Sequence, residues 1–282
     1  MERVAAPDGC EVTTSCAEIV ARDDPHLHAT ALFAPEPART KLMVLYAFDC
    51  ELSRAVRASK ESLIPRMRLQ WWRDVVEDAR FGKPAKAHEV AGPLAELVCD
   101  PAFRHAHPLL DQMIVSRELE LETARDLHTW KLWASQRFGA LLSAASIILC
   151  PGRAVDPPRV DFAMGWAFGL RHAADMAARH TDVRLPGIEG VEIAALARGD
   201  LPDAVAARLA EGARSALAEI SAARSTALRD RRLIPALLPV MWSERVLRAV
   251  RRAPRAVLGK IDDVDRPFDG LRLAWRVFRG RW

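Results

Sequence analysis

The chain has 282 residues, half of them hydrophobic, with 41 basic against 37 acidic side chains and a net charge of +4. That length and apolar content suffice for a sizeable core and exclude an intrinsically disordered chain. The charges of both signs are interspersed, so the mild basic excess makes no case for a nucleic-acid partner. Only six of the 41 basic residues are lysine, which together with abundant alanine reads as the codon bias of a GC-rich genome. The five cysteines, Cys10, Cys16, Cys50, Cys99 and Cys150, are odd in number and scattered, as expected of a reducing compartment. The first twenty residues show no basic stretch leading into an apolar run, and no run approaches the roughly 18 to 20 apolar residues of a spanning helix. The expectation is a cytoplasmic protein, soluble or peripheral on the inner face of the membrane.

In chain order, apolar spacing predicts helices near 14–22, 38–58, 64–80, 91–99, 105–123, 128–150, 159–180, 192–197, 201–230, 233–239, 243–251 and 267–280. The breakers "APEPAR", "FGKPAK", "CPGRAVDPP" and "RLPGIEG" separate them, and no segment alternates at period two. The reading is an all-α, single-domain bundle. Residues 1–20 form an N-terminal extension with a weakly structured start, 21–264 the helical domain, and 265–282 a basic amphipathic C-terminal helix.

The second of these helices carries "LYAFDCELSRAVR", Leu45 to Arg57. Leu45, Phe48, Leu52, Ala55 and Val56 make a core-facing stripe. A second stripe runs Tyr46, Asp49 or Cys50, Ser53 and Arg57, a polar seam ending in arginine. In "RLQWWRD", residues 68–74, Trp71 and Trp72 point about 100° apart, so that one is free to line a cavity while the other packs against a neighbouring helix. Core packing is the ordinary role of such residues, and of Trp130, Trp133 and Trp166. His26, His28, His105 and His107 have no third partner at metal-ligand spacing, and no Gly-rich phosphate loop occurs.

Taken together, "LFAPEPAR" (32–39), "LYAF" (45–48), "RLQWWRD" (68–74), "GWAFGL" (165–170) and "LP" (185–186) resemble the squalene/phytoene synthase family over roughly residues 20 to 250. The resemblance implies an isoprenoid-synthase-like fold with a central cavity. In active members two aspartate-rich helices face each other there and hold Mg²⁺ against a prenyl diphosphate, whose departing charge the ions neutralise.

This chain departs from that pattern twice. Aligned on "LYAF", the first Asp-x-x-x-Asp falls on Ser53 and Arg57, with Arg54 at a further acidic position. Serine is a poor Mg²⁺ ligand and arginine is none. Asp49 and Glu51 lie about one turn earlier on different faces and read as a helix salt bridge and a solvated edge. The second motif falls on Met176 and His180 in one register, or on His172 and Met176 in another that takes Arg171 as the motif arginine. Asp175 between Arg171 and Arg179 reads as an ion-pair ladder.

No catalytic residue or metal ligand is assigned, and Mg²⁺ enters only on the alternative reading of a working prenyl-diphosphate transferase of head-to-head type. The favoured reading is a member that has lost that condensation. It resembles the branch of the family with degenerate motifs that includes the mitochondrial complex I assembly factor and its bacterial relatives. Its implied partners are respiratory complex I subunits, a membrane surface, or a lipid or isoprenoid-phosphate ligand. For such a ligand, Arg54, Arg57, Arg68 and Arg171 offer guanidinium groups that bind phosphate without metal. With Tyr46, Ser53, Trp71, His172, Asp175 and Met176 they make the expected cavity lining. The alternative is that Arg57 pairs with Asp74 or Glu77.

The C-terminal "RPFDGLRLAWRVFRGRW" spaces Phe268, Leu271, Trp275, Phe278 and Trp282 every three or four residues among Arg272, Arg276, Arg279 and Arg281. This pattern suits an interfacial helix on an anionic membrane. It equally suits a helix that docks its apolar stripe onto the bundle and leaves the arginines in water.

Overall fold

The structure, a computed structural model, describes residues 9–59, 63–121, 127–153, 156–179, 199–225, 230–258, 261 and 268–282, with backbone only for 9–14, 127 and 173–179. It is all-α, and no strand occurs among the described residues. The chain forms two compact units, Met1–Glu118 with Leu141–Asp156, and Leu119–Ala140 with Pro157–Trp282.

The first unit is built on α3 (Ala38–Arg57), against which α1 (Gly9–Asp23), α2 (Pro25–Ala31), α4 (Leu63–Arg80) and α5 (Ala91–Cys99) all pack. The predicted stripe of α3 is the reason: Leu45, Phe48, Leu52 and Ala55 are each 3% exposed or less. From Gly9 onward the expected N-terminal extension is helical, and Cys16, Ile19 and Val20 bury it against this core. The short α2 escaped the periodicity analysis because seven residues carry too little pattern. Its start signal is nevertheless local: Asp24 accepts a hydrogen bond from the Leu27 N–H at 3.0 Å, and Pro25 opens the helix.

α6 (His107–Glu120) supplies the electrostatic centre of this unit. Arg117, fully buried, donates to the Asp49 carboxylate at 2.7 Å. Asp49 is therefore neither an intrahelical salt bridge nor a solvated edge; it is the counter-ion of a guanidinium that has no access to water. Burial with Asp24 and Asp49 nearby also pushes the Tyr46 phenol and the Cys50 thiol well above their ordinary pKa values, and the Cys16 thiol is raised to about 12, chiefly by burial. The four cysteines whose side chains are described are all free thiols.

The second unit contains α7 (Leu127–Ala134), a π-helical turn (Ser135–Gly139), the long α9 (Asp161–Arg179) and α10 (Asp203–Ser225), α11 (Ile234–Leu237), α12 (Val240–Arg252) and α13 (Asp269–Phe278). The π turn runs on into α8 (Ala140–Leu149), which all but its first residue assigns to the first unit. Its helices approach closely at glycines. A Cβ on Gly165 would lie 2.6 Å from Ala134 Cβ, and one on Gly212 would lie 2.2 Å from the Trp166 ring. Trp130, Trp133 and Trp166 are core residues as expected, with ring centroids 4.6 and 6.2 Å apart for Trp130–Trp133 and Trp130–Trp166.

One expectation needs correction. Read as a helix, His128–Leu149 reaches a mean hydropathy of 1.2 over an 18-residue window, long and apolar enough by composition to cross a membrane. Counting only uninterrupted apolar residues missed it. Since 61% of the window is buried inside the protein and Arg137 lies within the segment, it is a core helix.

Two outcomes follow from these buried charges. Replacing Arg117 by Met strands the Asp49 carboxylate in the core, and the stability lost in denaturant titration is expected to be about 3–5 kcal/mol, with Asp49→Asn in the same chain restoring part of it. Glu219 on α10 is held by burial and the neighbouring Asp161 at a pKa of about 7, up from 4.5. The fold thus favours its protonated form, and stability falls as pH rises from about 4.5 to about 7. Glu219→Gln is expected to flatten that slope and to stabilise the protein above pH 7 by about 1–2 kcal/mol, allowing for solvent screening of the partly exposed group.

Candidate functional site

The first acidic motif is expected on α3, whose last two turns are engaged in structural bonds as far as Arg54. Ser53 Oγ donates to the Asp49 carbonyl at 3.0 Å, so the hydroxyl is folded back on its own helix. Arg54 Nε lies 2.6 Å from Asp23 of α1, and its Nη1 pairs with Glu51 one turn back. Glu51 does form the expected helix salt bridge, while burial and the nearby Glu89 and Asp23 raise its pKa. Arg54 is thus a strut between α1 and α3, which withdraws it from the expected phosphate-binding set.

Arg57 is different. It is exposed at the C-terminal turn of α3, where a cation suits the helix dipole, and it has no carboxylate partner among the described residues. The alternative pairing with Asp74 or Glu77 does not form: Asp74 accepts from Gln70 at 2.8 Å and faces Lys86 at 4.0 Å. Arg68 on α4 is likewise exposed. Tyr46 is buried in the unit core at 1% exposure.

The "RLQWWRD" stretch divides its residues by face. Leu69 and Trp72 are buried, with Trp72 edge-on to Phe48 at 5.5 Å. Arg73 makes a two-pronged bond to Glu118, 3.0 Å on each arm. Trp71 is half-buried beside the buried Trp72. Their rings meet edge-on at 4.8 Å and both contact His88, while Lys86 lies 5.5 Å over Trp71. "LFAPEPAR" is also structural: Pro35, Glu36, Pro37 and Ala38 border a small pocket of about 190 Å³, beside which Lys41 pairs with Asp100.

In the second unit, α9 carries the second motif. Arg171 is exposed and engaged, and His172 stacks on Phe168 at 4.5 Å. The side chains of Asp175, Met176 and Arg179 lie outside the described residues, as do His180 and the "LP" at 185–186, and with them the expected ion-pair ladder.

The same unit holds a charged group that sequence reasoning missed. Arg137, 7% exposed on the π turn, lies 4.0 Å over Phe168 and within 5.5 Å of the Trp133 and Phe138 rings. Its Nη1 donates to Glu120 at 2.6 Å, and Trp133 Nε1 donates to the same carboxylate oxygen at 3.2 Å. An arginine inside the longest apolar segment was the available signal. π turns concentrate where a side chain must be aimed off the regular helical direction. Among the described residues, no group of three or more His, Cys, Asp or Glu converges as a metal site.

The family model for squalene/phytoene synthase matches residues 20–279. No curated protein matches the chain. Among solved structures, a dehydrosqualene synthase in complex with ligand is similar at a TM-score of 0.74 and 13% identity, over 96% of each chain. The squalene synthase HpnC from Alicyclobacillus acidocaldarius is similar at a TM-score of 0.68 and 14% identity, over 86% of this chain and 94% of the other. At such identities the likeness concerns the all-α isoprenoid synthase fold. The match along nearly the whole sequence assigns membership: this chain belongs to the squalene/phytoene synthase family.

Proposed function

We propose that this protein is a divergent member of the family that does not condense prenyl diphosphates with Mg²⁺ and acts instead as a non-catalytic factor. One observation carries the reading. Where an active member needs two carboxylates one turn apart on α3, this chain has a serine bonded to its own backbone and an exposed arginine. The two acids that precede them on the helix are committed as well, Asp49 to Arg117 and Glu51 to Arg54. These residues do not fit a Mg²⁺ cluster, which needs oxygen ligands of free charge aimed outward together. The degenerate motifs match the branch that resembles the complex I assembly factor, and respiratory complex I subunits are the partners this reading implies.

A narrower form of the reading gives the protein a lipid- or isoprenoid-phosphate ligand. Arg57 supports it, since an exposed guanidinium without a carboxylate partner among the described residues is available to an anion. Arg68 is the second candidate on this unit, whereas Arg54 is not, because its bonds to Asp23 and Glu51 hold the fold.

The deciding experiment incubates the purified protein with farnesyl and geranylgeranyl diphosphate, with and without Mg²⁺, and follows diphosphate release. None is expected; Mg²⁺-dependent release would reinstate the transferase. Calorimetry on the same samples tests the ligand form. Binding should survive chelation of metal and weaken about a hundredfold or more in Arg57→Ala/Arg68→Ala, at roughly 1.5 kcal/mol or more per charge-assisted contact. Equal affinity in that variant would sink the ligand form and leave a protein partner.

A further inference from the structure

The C-terminal segment neither docks its whole apolar stripe nor leaves it all in water. Leu273 and Trp282 are buried in the second unit at 1% and 6% exposure. Asp269 locks the start of α13 to α12 through both arms of Arg245, 2.6 Å each. With the helix fixed by these contacts, Phe268, Leu271, Trp275 and Phe278 stand 60–78% exposed, and the Trp275 and Phe278 rings stack on each other at 5.8 Å. Four large apolar side chains held outward on an anchored helix form a patch that burial within the protein does not explain.

Beside this patch is a basic pocket of about 720 Å³, bordered by Arg231, Arg276, Arg279 and Arg281 with Trp275 and Trp282. Trp275 belongs both to the exposed stripe and to the pocket wall. Among the described residues, the side-chain carboxylates nearby are already committed. Glu244 takes Arg224 in a two-pronged bond of 2.8 and 3.1 Å and Arg248 at 2.7 Å, and Asp269 takes Arg245. Arg224 in turn lies 5.1 Å over Trp282. None of Arg231, Arg276, Arg279 and Arg281 forms an ion pair among the described residues, and burial together with Arg224, Arg245 and Arg248 depresses the pKa of Arg276.

The turn that closes the pocket is shaped for this. Gly280 has φ +64°, and a Cβ there would meet the Arg231 guanidinium carbon at 2.8 Å. Glycine adopts that backbone without strain and leaves the Arg231 guanidinium free to lie against the turn. Bringing together four guanidinium groups that form no ion pair among the described residues incurs repulsion that an anion relieves.

We propose that this pocket binds the phosphate of an anionic phospholipid while Phe268, Leu271, Trp275 and Phe278 enter the adjoining interface, so that α13 holds the protein on an acidic membrane surface. Free phosphate satisfies the arginines but gives the aromatic stripe nothing to bury in, and charge and apolar area coincide only at such a surface. The site is independent of whether the fold turns over a prenyl diphosphate.

Flotation of the full chain with vesicles of phosphatidylcholine alone, and of phosphatidylcholine mixed with phosphatidylglycerol, tests it. The protein is expected to float with the anionic vesicles only and to be released by salt. Arg279→Gln/Arg281→Gln removes two exposed cations and should lower anionic-vesicle affinity about 25-fold, at roughly fivefold per arginine. Leu271→Ser/Phe278→Ser alters only exposed side chains, so its loss of flotation should come without a change in melting temperature. Equal flotation with neutral vesicles, or undiminished flotation of either variant, would overturn the proposal. So would calorimetric binding of inorganic diphosphate to a protein that fails to float.

Discussion

The first unit depends on the Arg117 guanidinium having a carboxylate inside the core. A fully buried cation is tolerable only with a counter-ion in direct contact, and α3 supplies it through Asp49. This fixes the azimuth of α3, since Asp49 must face α6 while Leu45, Phe48 and Leu52 face the same interior. It also determines what lies one turn on. Ser53 follows Asp49 by four residues and caps that residue's carbonyl, and Arg54 turns back to Glu51 and Asp23. This stretch of α3 is therefore tied into the fold by ion pairs as far as Arg54.

The second unit solves a similar problem with aromatic rings. Arg137 keeps its charge inside the protein by pairing with Glu120 and lying against Phe168, so the π faces and one carboxylate replace water. Packing explains the first glycine of "GWAFGL", Gly165, where Ala134 leaves no room for a side chain, and Gly212 likewise makes room for the motif's Trp166.

The C-terminal helix follows a different rule. Its anchors, Leu273, Trp282 and the Asp269–Arg245 pair, use few of its apolar residues. The remaining aromatics and the surplus arginines are carried on a rigid support, which spares a membrane-binding element much of the ordering entropy that a free tail would lose.

By itself the sequence determined the all-α class, most helix positions and the family. Helical periodicity is a local property, and motifs such as "RLQWWRD" and "LFAPEPAR" are readable without coordinates. It also put Ser53 and Arg57 where the family resemblance leads one to expect acids, since residue identity is read directly. The partners of charged groups were decided only by tertiary structure: Asp49 with Arg117 across 68 residues, Arg73 with Glu118 across 45, Glu244 with Arg224 across 20. Nothing in local spacing distinguishes a solvated arginine from a buried one. The same holds for the C-terminal stripe, whose period was evident while its direction was not. An amphipathic pattern specifies that a helix has two faces, and only the packing of its neighbours specifies which of them meets water.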